Sequence, residues 1–330
     1  MSAPTSHPAA VDPLSPSVAP RVSVVMPVFN GERFIAEAVE SVLASEFADF
    51  ELLVLIDGGT TDGTAAAAAR AAAGDPRVRL IEHAHVTPSV ARNIGLQEAR
   101  SEFVANLDAD DAMFPERLGR QIAYLDRHPE CVAVGSRALI VDADNQPVRV
   151  GVRAYSHEEI DAAHLAGRGG TIMNPTAIFR RQSALAIGGY AADLLTTGED
   201  HDFWLRLAEV GRLVNLPEVL TRYRIHGQNA SIGATTNDRR LAVTMEILSR
   251  AFARRGITDR RPEKRKGPPA RTWERWADRA LLRYFEGRRI SAVVTALAAV
   301  ALRPGSPATR AALGTVIRGV PRPVPPRARG

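Results

Sequence analysis

Two stretches of this chain put carboxylates where chemistry could use them. The first is Asp108-Ala109-Asp110-Asp111, in "ANLDADDAMFP", directly after an apolar run. Three acids in four residues repel one another unless a cation neutralises them. Hard divalent ions such as Mg²⁺ or Mn²⁺ take oxygen ligands of this kind and bridge them to substrate phosphates. The same letters also suit an acidic turn that caps the next helix, so the residues alone leave both readings open. The second is Glu199-Asp200, in "TTGEDHDFWLRL", at the start of an amphipathic pattern. Acids there either complement a helix dipole or include a general base held ionised at a helix N-terminus. A third set, Asp142-Ala143-Asp144 in "VDADNQP", repeats the lettering of the first. Asn145 and Pro147 beside it are ordinary turn residues, so this set reads as a hairpin tip. Neither Asp-Ala-Asp set is an EF-hand loop. The sixth position would be Met113 or Pro147 rather than Gly, and the twelfth Gly119 or Arg153 rather than Glu.

Lesser candidates surround these. Asp57 ends a strand-like run, and Asp62 follows in "LIDGGTTDGT", whose glycines let backbone approach a ligand. Asp62 suits a helix N-cap or a ligand contact. Arg92 and Asn93 precede the acidic motif; they suit a diphosphate or an ordinary surface. His226 in "YRIHGQNAS" is a metal ligand, a phosphate contact or neither. Trp273 and Trp276 sit beside Arg271 and Arg275, with spacing for packing or for membrane-surface contact.

The elements that must position these groups alternate. Strands are expected at 21–28, 50–57, 78–82 and 102–108. The first is followed by a helix with Asn30 at its N-cap and Ile35, Ala38, Val39, Val42 and Leu43 on one face. Helices are expected up to Ala73 and over 89–100 and 116–128. "VAVG" and "ALIVDADNQPVRVG" read as two strands, the second a hairpin, and helices dominate 235–255 and 271–318. Continuous apolar strands separated by helices make a mostly parallel sheet covered on both faces. Ligands bind such sheets at the carboxyl ends of the strands. Asn30, Asp57 and Asp108–Asp111 stand at three such ends.

Composition narrows the class. The hydrophobic fraction is 45% over 330 residues, enough for a substantial core. A single cysteine, Cys131, excludes an intrachain disulfide framework and a multi-cysteine zinc site. No run reaches the roughly 18 apolar residues of a membrane span. The first 20 residues lack a basic start and an apolar segment, so they read as a disordered leader rather than a signal peptide. A cytoplasmic setting, with peripheral attachment at the inner face of a membrane as an option, is the expectation. Between Arg254 and Arg271 lie eight Lys/Arg and two acids. That stretch suits a solvated linker, or a contact with phosphates, anionic lipid or nucleic acid. It contains no aromatic between its cations, which argues against nucleic acid.

In order, "VSVVMPVFNGERFIAEAVESVLAS", "LIDGGTTDGT", "ARNIGLQEARSEFVANLDADD" and "GEDHDFWLRL" resemble family 2 glycosyltransferases, over roughly residues 21–230. The resemblance implies a GT-A fold: an α/β, Rossmann-like, mostly parallel central sheet flanked by helices, here with a helical C-terminal extension. It implies an inverting transfer from a nucleotide-sugar donor, a UDP-sugar first, to a saccharide, lipid-linked saccharide or other hydroxyl acceptor. Cell-surface polysaccharide or glycoconjugate synthesis is the expected setting. Pro27, Val28, Asn30 and Glu32 match the first nucleotide-binding segment. Asp57 matches the acid that recognises the base, and Arg92 falls in the segment lining the nucleotide site. Asp108 and Asp110 match the metal-binding motif for Mg²⁺ or Mn²⁺, with His226 as a further candidate ligand in a Tyr-Arg-x-His pattern. Asp200, after Glu199, matches the catalytic base, and Glu199, Trp204 and Arg206 belong to the acceptor side. The chain departs from the family at Gly58, where a second polar or acidic residue is frequent, and at Phe29, where Tyr is common.

The expected organisation is a leader (1–20), a transferase domain (21–235), a helical region (236–318) with a basic linker (254–271), and a disordered tail (319–330). Within the domain, 21–115 forms the nucleotide-sugar half and 116–235 the acceptor half. Two other classes compete. A sugar nucleotidyltransferase would need a glycine-rich basic loop after the first strand, where this chain has "PVFNGERF" with one glycine. A non-catalytic scaffold binding membrane or nucleic acid would not need Asp57, Asp108, Asp110 and Asp200 together.

Overall fold

Burial on both faces explains why the strands read as unbroken apolar runs. β1 (Val22–Val28) sends Val22, Val24, Met26 and Val28 into one core and Val25 into the other. β2 (Phe50–Asp57) divides its residues the same way, Leu52 and Val54 against Leu53 and Leu55. The computed structural model describes residues 19–152, 154–194, 198–227, 237–259, 261–263 and 271–319. Apart from residues 19, 20 and 319, the expected leader and tail lie outside these, as do residues 264–270 of the expected basic linker.

β1 pairs in parallel with β2 and with β4 (Phe103–Asn106), and β2 in parallel with β3 (Val78–His83). The sheet continues through β8 (Ile178–Arg180), β6 (Cys131–Val141), β9 (Arg212–Arg224) and the short β5 (Ala112–Met113). β8 runs antiparallel to both β4 and β6, β6 and β9 are parallel, and β7 (Pro147–Gly151) folds back on β6. The expected mostly parallel sheet is therefore present. The separate "VAVG" and "ALIV" strands are one eleven-residue strand, buried throughout.

One face carries α1 (Ile35–Leu43), α2 (Thr64–Ala72) and α4 (Arg117–Arg127); the other carries α3 (Pro88–Glu98), α6 (Arg181–Ala186) and α7 (Glu199–Leu207). α5 (His157–Leu165) and α8 (Asn237–Arg254) pack against α7. Two expectations need correction. Asn30 is not a helix cap: it sits at φ +48° in a turn, and α1 begins only at Ile35, with Phe34 at the cap. β4 stops at Asn106, which leaves Leu107 and the acidic motif free to turn out of the sheet.

The C-terminal helices α9 (Thr272–Phe285), α10 (Arg289–Leu302) and α11 (Pro307–Arg318) share a core with the sheet. Ala277, Leu281, Ala299 and Ala312 pack with Phe114, Leu139, Val141, Val150 and Val219. The fully buried Arg137 of β6 pairs with Asp278 of α9. The first two cations of the expected linker are also tied down: Arg254 meets Glu209 at 3.1 Å, and Arg255 meets Asp161 at 2.9 Å. Among the described residues, no helix is long and apolar enough to cross a membrane.

Candidate active site

The carboxyl ends of β1, β2 and β4 open into a cleft of about 1030 Å³. Pro27, Val28 and Asn30 line it at the end of β1, and Asp57 lines it at the end of β2. Asn30 also braces its neighbour, since its Oδ1 accepts the Thr61 N–H at 2.9 Å. Glu32 stands outside the lining. Its Oε2 accepts the Gly63 N–H at 3.0 Å, and Asp62 returns the contact by accepting the Glu32 N–H at 3.1 Å. These two acids stitch the β1–α1 loop to the glycine-rich turn. Asp62 also accepts the Thr64 N–H at 3.1 Å, but the N-cap of α2 is Gly63, so Asp62 braces the turn ahead of the helix rather than capping it.

Asp57 is buried and fully engaged. It accepts the Gly59 N–H at 2.8 Å and the Val86 N–H at 3.2 Å, and contacts His85 Nδ1 at 2.7 Å. Burial pushes its pKa up, but these hydrogen bonds outweigh burial and hold it below the usual range. It is therefore a fixed, ionised acceptor.

The acidic motif meets α7 through one cation. Arg92 of α3 donates to Asp108 Oδ1 at 3.0 Å and to Glu199 Oε1 at 3.0 Å. Burial lowers its pKa, but the two carboxylates more than offset that, and the guanidinium stays charged. Oxygen atoms of Asp108, Asp110 and Asp111 lie within 4.8 Å of one another. Burial first, and the neighbouring Asp108 charge second, raise the Asp110 pKa; His226 Nε2, 2.9 Å from Asp110 Oδ2, pulls the other way. Asp111 is raised further, by burial and then by Asp110 and Asp108. Its Oδ1 accepts the Arg224 N–H at 2.8 Å, while its buried Oδ2 has no hydrogen-bond partner among the described residues. Three hard oxygen donors, crowded, partly protonation-prone and with one orphaned oxygen, fit a divalent cation. His226 contacts Asp110 and packs tilted against Phe34, ring centroids 4.8 Å apart; it does not join the cluster of Asp108, Asp110 and Asp111.

α7 starts where it does because Gly198 sits at φ +86°, a conformation that costs other residues about 1–2 kcal/mol. A Cβ there would also approach Ile247 Cδ1 at 2.7 Å. The turn places both Glu199 and Asp200 on the cleft. Asp200 Oδ1 accepts the His201 N–H at 2.7 Å. Burial raises the Asp200 pKa, and the Asp108 charge adds to this against the His201 N–H and Arg92. Trp204 and Arg206 do not line the cleft, contrary to expectation. Trp204 points into the core against Phe179 and Phe203 and is fully buried. Arg206 donates to Asp202 at 2.7 Å and to the carbonyls of Ile187 and Gly189 at 2.8 and 2.7 Å, clamping the turn before Tyr190. An aromatic one position after Phe203 widens the apolar stripe of the helix, and that is the face the sheet covers.

Several groups were not foreseen. Arg117, fully buried beneath the acidic motif, donates to the Asn106 and Ala177 carbonyls at 2.9 and 3.3 Å. His85 fixes Asp57 and packs 5.4 Å from Phe29. The loop Gly167–Gly170, carrying Arg168, lines the cleft opposite the strand ends. His201 joins it there, with Nε2 at 2.9 Å from the His164 carbonyl. The glycine cluster in "AGRGGT" was the one local signal available for that loop.

A model of the family described as Glycosyl transferase family 2 matches residues 23–188. EpsE of Bacillus subtilis (strain 168) is 33% identical over 210 residues, covering 62% of this chain and 73% of EpsE. S. aureus TarS 1-349 in complex with UDP-GlcNAc matches with a TM-score of 0.58 at 19% identity, over 91% of this chain and 82% of that one. The mannosyltransferase PcManGT from Pyrobaculum calidifontis, in complex with GDP-Man and Mn2+, gives 0.53 at 21% identity, over 94% and 82%. At such identities the two structures speak for the GT-A fold alone. The family model spans half the chain and EpsE supports the same assignment: this protein belongs to glycosyl transferase family 2.

Proposed function

We propose that this chain is an inverting, metal-dependent transferase. It passes a sugar from a nucleotide-diphosphate sugar to a hydroxyl of a saccharide or lipid-linked acceptor. The observation that carries the reading is the meeting of the Asp108–Asp111 motif and the Glu199-Asp200 pair in one cleft, with Arg92 spanning them. Residues 21–115 then form the donor half, with Asp57 recognising the base and Pro27, Val28 and Asn30 beside it. Residues 116–235 bring the acceptor half, with Asp200 and the Gly167–Gly170 loop.

Asp200 is the general base. Its Oδ1 is held by the His201 N–H, which orients the carboxylate so that the other oxygen can receive the acceptor's proton. Its raised pKa makes it a stronger base than an ordinary aspartate. As the acceptor oxygen attacks the anomeric carbon, the bond to the diphosphate breaks on the opposite face and the configuration inverts. Arg92 stands ready to compensate charge on the departing diphosphate. When bound by Asp108, Asp110 and Asp111, Mg²⁺ or Mn²⁺ supplies Lewis-acid stabilisation of that diphosphate.

TarS with UDP-GlcNAc supports a UDP-sugar, while PcManGT with GDP-Man keeps guanine in the test. We place the reaction in cell-surface polysaccharide or glycoconjugate synthesis, the setting of relatives named for amylovoran biosynthesis in Erwinia amylovora and O-antigen biosynthesis in Escherichia coli. A cytoplasmic location with peripheral membrane contact completes the proposal.

The test is transfer or donor hydrolysis by wild type, Asp110→Ala and Asp200→Asn, beside thermal shifts with UDP, GDP and dTDP with and without Mn²⁺. Asp200→Asn should keep nucleotide binding and lose roughly 10²- to 10⁴-fold in turnover. Asp110→Ala should lose the metal-dependent shift. Full transfer by Asp200→Asn would remove it as the base, and no metal-dependent shift with any nucleotide would count against the whole reading.

A further inference from the structure

Helix α10 buries its small residues and exposes its large ones. Ala292, Thr295, Ala296 and Ala299 face inward, whereas Ile290 is 84% exposed, Val294 63%, and Leu297 and Leu302 just over half. Ile290, Val294 and Leu297 are spaced i, i+4, i+7, one stripe along one face. Burial by folding alone favours the reverse arrangement, since bulky side chains gain most from leaving water. Contiguous exposed apolar surface of this kind marks a contact with something else.

The charge around the stripe says what. Between Arg289 and Arg303 the helix carries no charged residue, and both arginines are exposed, with no acidic partner among the described residues. Ile317 and Arg318, at the end of α11, repeat the pairing of an exposed aliphatic with an exposed arginine. Residues 271–319 hold nine arginines and three acids, a net +6 against +5 for the whole chain. Asp278 is already engaged by Arg137, and Glu286 lies 3.6 Å from Arg288. An apolar stripe with cations at both ends matches an anionic bilayer surface, which accepts aliphatic side chains at the headgroup level and attracts arginine there. A second copy of the chain fits poorly, because symmetric pairing through this face would bring two sets of arginines together.

We propose that the exposed face of α10 formed by Ile290, Val294 and Leu297, with Leu302, Arg289 and Arg303 exposed at the helix ends, docks the protein on an anionic lipid bilayer. This deepens the peripheral contact proposed above, expected of the basic or helical C-terminal region, by placing it on a built helix face rather than on the 254–271 segment. Arg254 and Arg255 of that segment already pair within the fold.

The experiment is flotation of the full chain with vesicles of phosphatidylcholine, with and without phosphatidylglycerol. Wild type should float with the anionic vesicles, progressively less as salt is raised. Ile290→Ser with Leu297→Ser, and separately Arg289→Ala with Arg303→Ala, should each reduce binding by roughly tenfold or more. Val210→Ser, at an exposed aliphatic after α7, should leave it unchanged. Nucleotide-induced thermal shifts run on every variant confirm that the fold is intact. Failure to float, equal binding to both vesicle types, or wild-type binding by both double variants would overturn the proposal. So would a dimer in sedimentation equilibrium that Ile290→Ser with Leu297→Ser dissolves while vesicles stay unbound. Vesicle binding needs no turnover, so loss of transfer with flotation intact would count against the transferase reading alone.

Discussion

The chain spells Asp-Ala-Asp twice, and Arg224 touches both copies. Its backbone N–H and Nε reach Asp111 Oδ1 and the Asp110 carbonyl at 2.8 Å, and its Nη1 reaches Asn145 Oδ1 at 2.9 Å beside Asp142–Asp144. At the second copy the turn consumes its own carboxylate: Asp142 Oδ1 accepts the N–H groups of Asp144 and Gln146, each at 2.9 Å. Asp144 points into solvent, with Arg33 3.5 Å away. At the first copy the chain has just left a buried strand. Among the described residues no local N–H satisfies the Asp108 and Asp111 carboxylates, which lie close together, Asp108 lining the cleft and Asp111 buried. One tripeptide becomes a turn where its own backbone takes the oxygens, and a candidate metal site where burial leaves them wanting charge.

The sharpest way to break this contrast is to remove what joins the two copies. Arg224 is buried and pairs at 2.6 Å with Glu37, which Arg222 also holds at 2.7 Å, so Arg224→Ala leaves that carboxylate one cation while it unties both loops. Thermal unfolding should show a loss of about 1.5–3 kcal/mol for the lost charge-assisted hydrogen bonds. Arg33→Ala, at the exposed pair, should lie within about 0.5 kcal/mol of wild type. Equal effects would mean that burial is not what separates the two regions.

A pH series sharpens the first region. A base works ionised, and the folded pKa of Asp200 is raised, chiefly by burial. Activity should therefore fall, as pH drops, at a pH above the ordinary aspartate value of about 3.9. A kcat/KM profile flat down to that value would contradict the burial argument.

The smallest effects belong to the second copy. Asp142→Ala should cost about 1 kcal/mol for the lost turn hydrogen bonds. Asp144→Ala should cost less than about 0.5 kcal/mol. Both should leave metal-dependent nucleotide binding unchanged. Loss of that binding in either variant, comparable with Asp110→Ala, would erase the distinction.

Much of this was legible in the sequence because apolar runs and the groups at their ends are local. β1, β2 and α1 follow from periodicity, and Asp57 and the acidic motif stand where parallel strands finish. What was not legible comes from residues far apart in the chain. Arg224 is more than a hundred residues from Asp111, and no spacing rule connects them. Asn30 has the composition of a cap, but a left-handed turn and a bond to Thr61 claimed it. Trp204 and Arg206 were carried over from the family segment that follows Asp200. Trp204 is one turn from Asp200 yet is claimed by the core against Phe179 and Phe203, and Arg206 is claimed by Asp202 and the Ile187 and Gly189 carbonyls.

Arg137 and Asp278 carry a last consequence. The cation belongs to the central sheet and is fully buried, while its counter-charge arrives on a helix some 140 residues later. A chain trimmed ahead of α9 would keep every candidate catalytic group and still open Arg137, Leu139, Val141, Val150 and Val219 to water. Full burial of one such aliphatic side chain is worth roughly 1.5–3 kcal/mol, a sizeable share of the roughly 5–15 kcal/mol that holds a domain together, so the C-terminal helices belong to the fold rather than being an optional attachment.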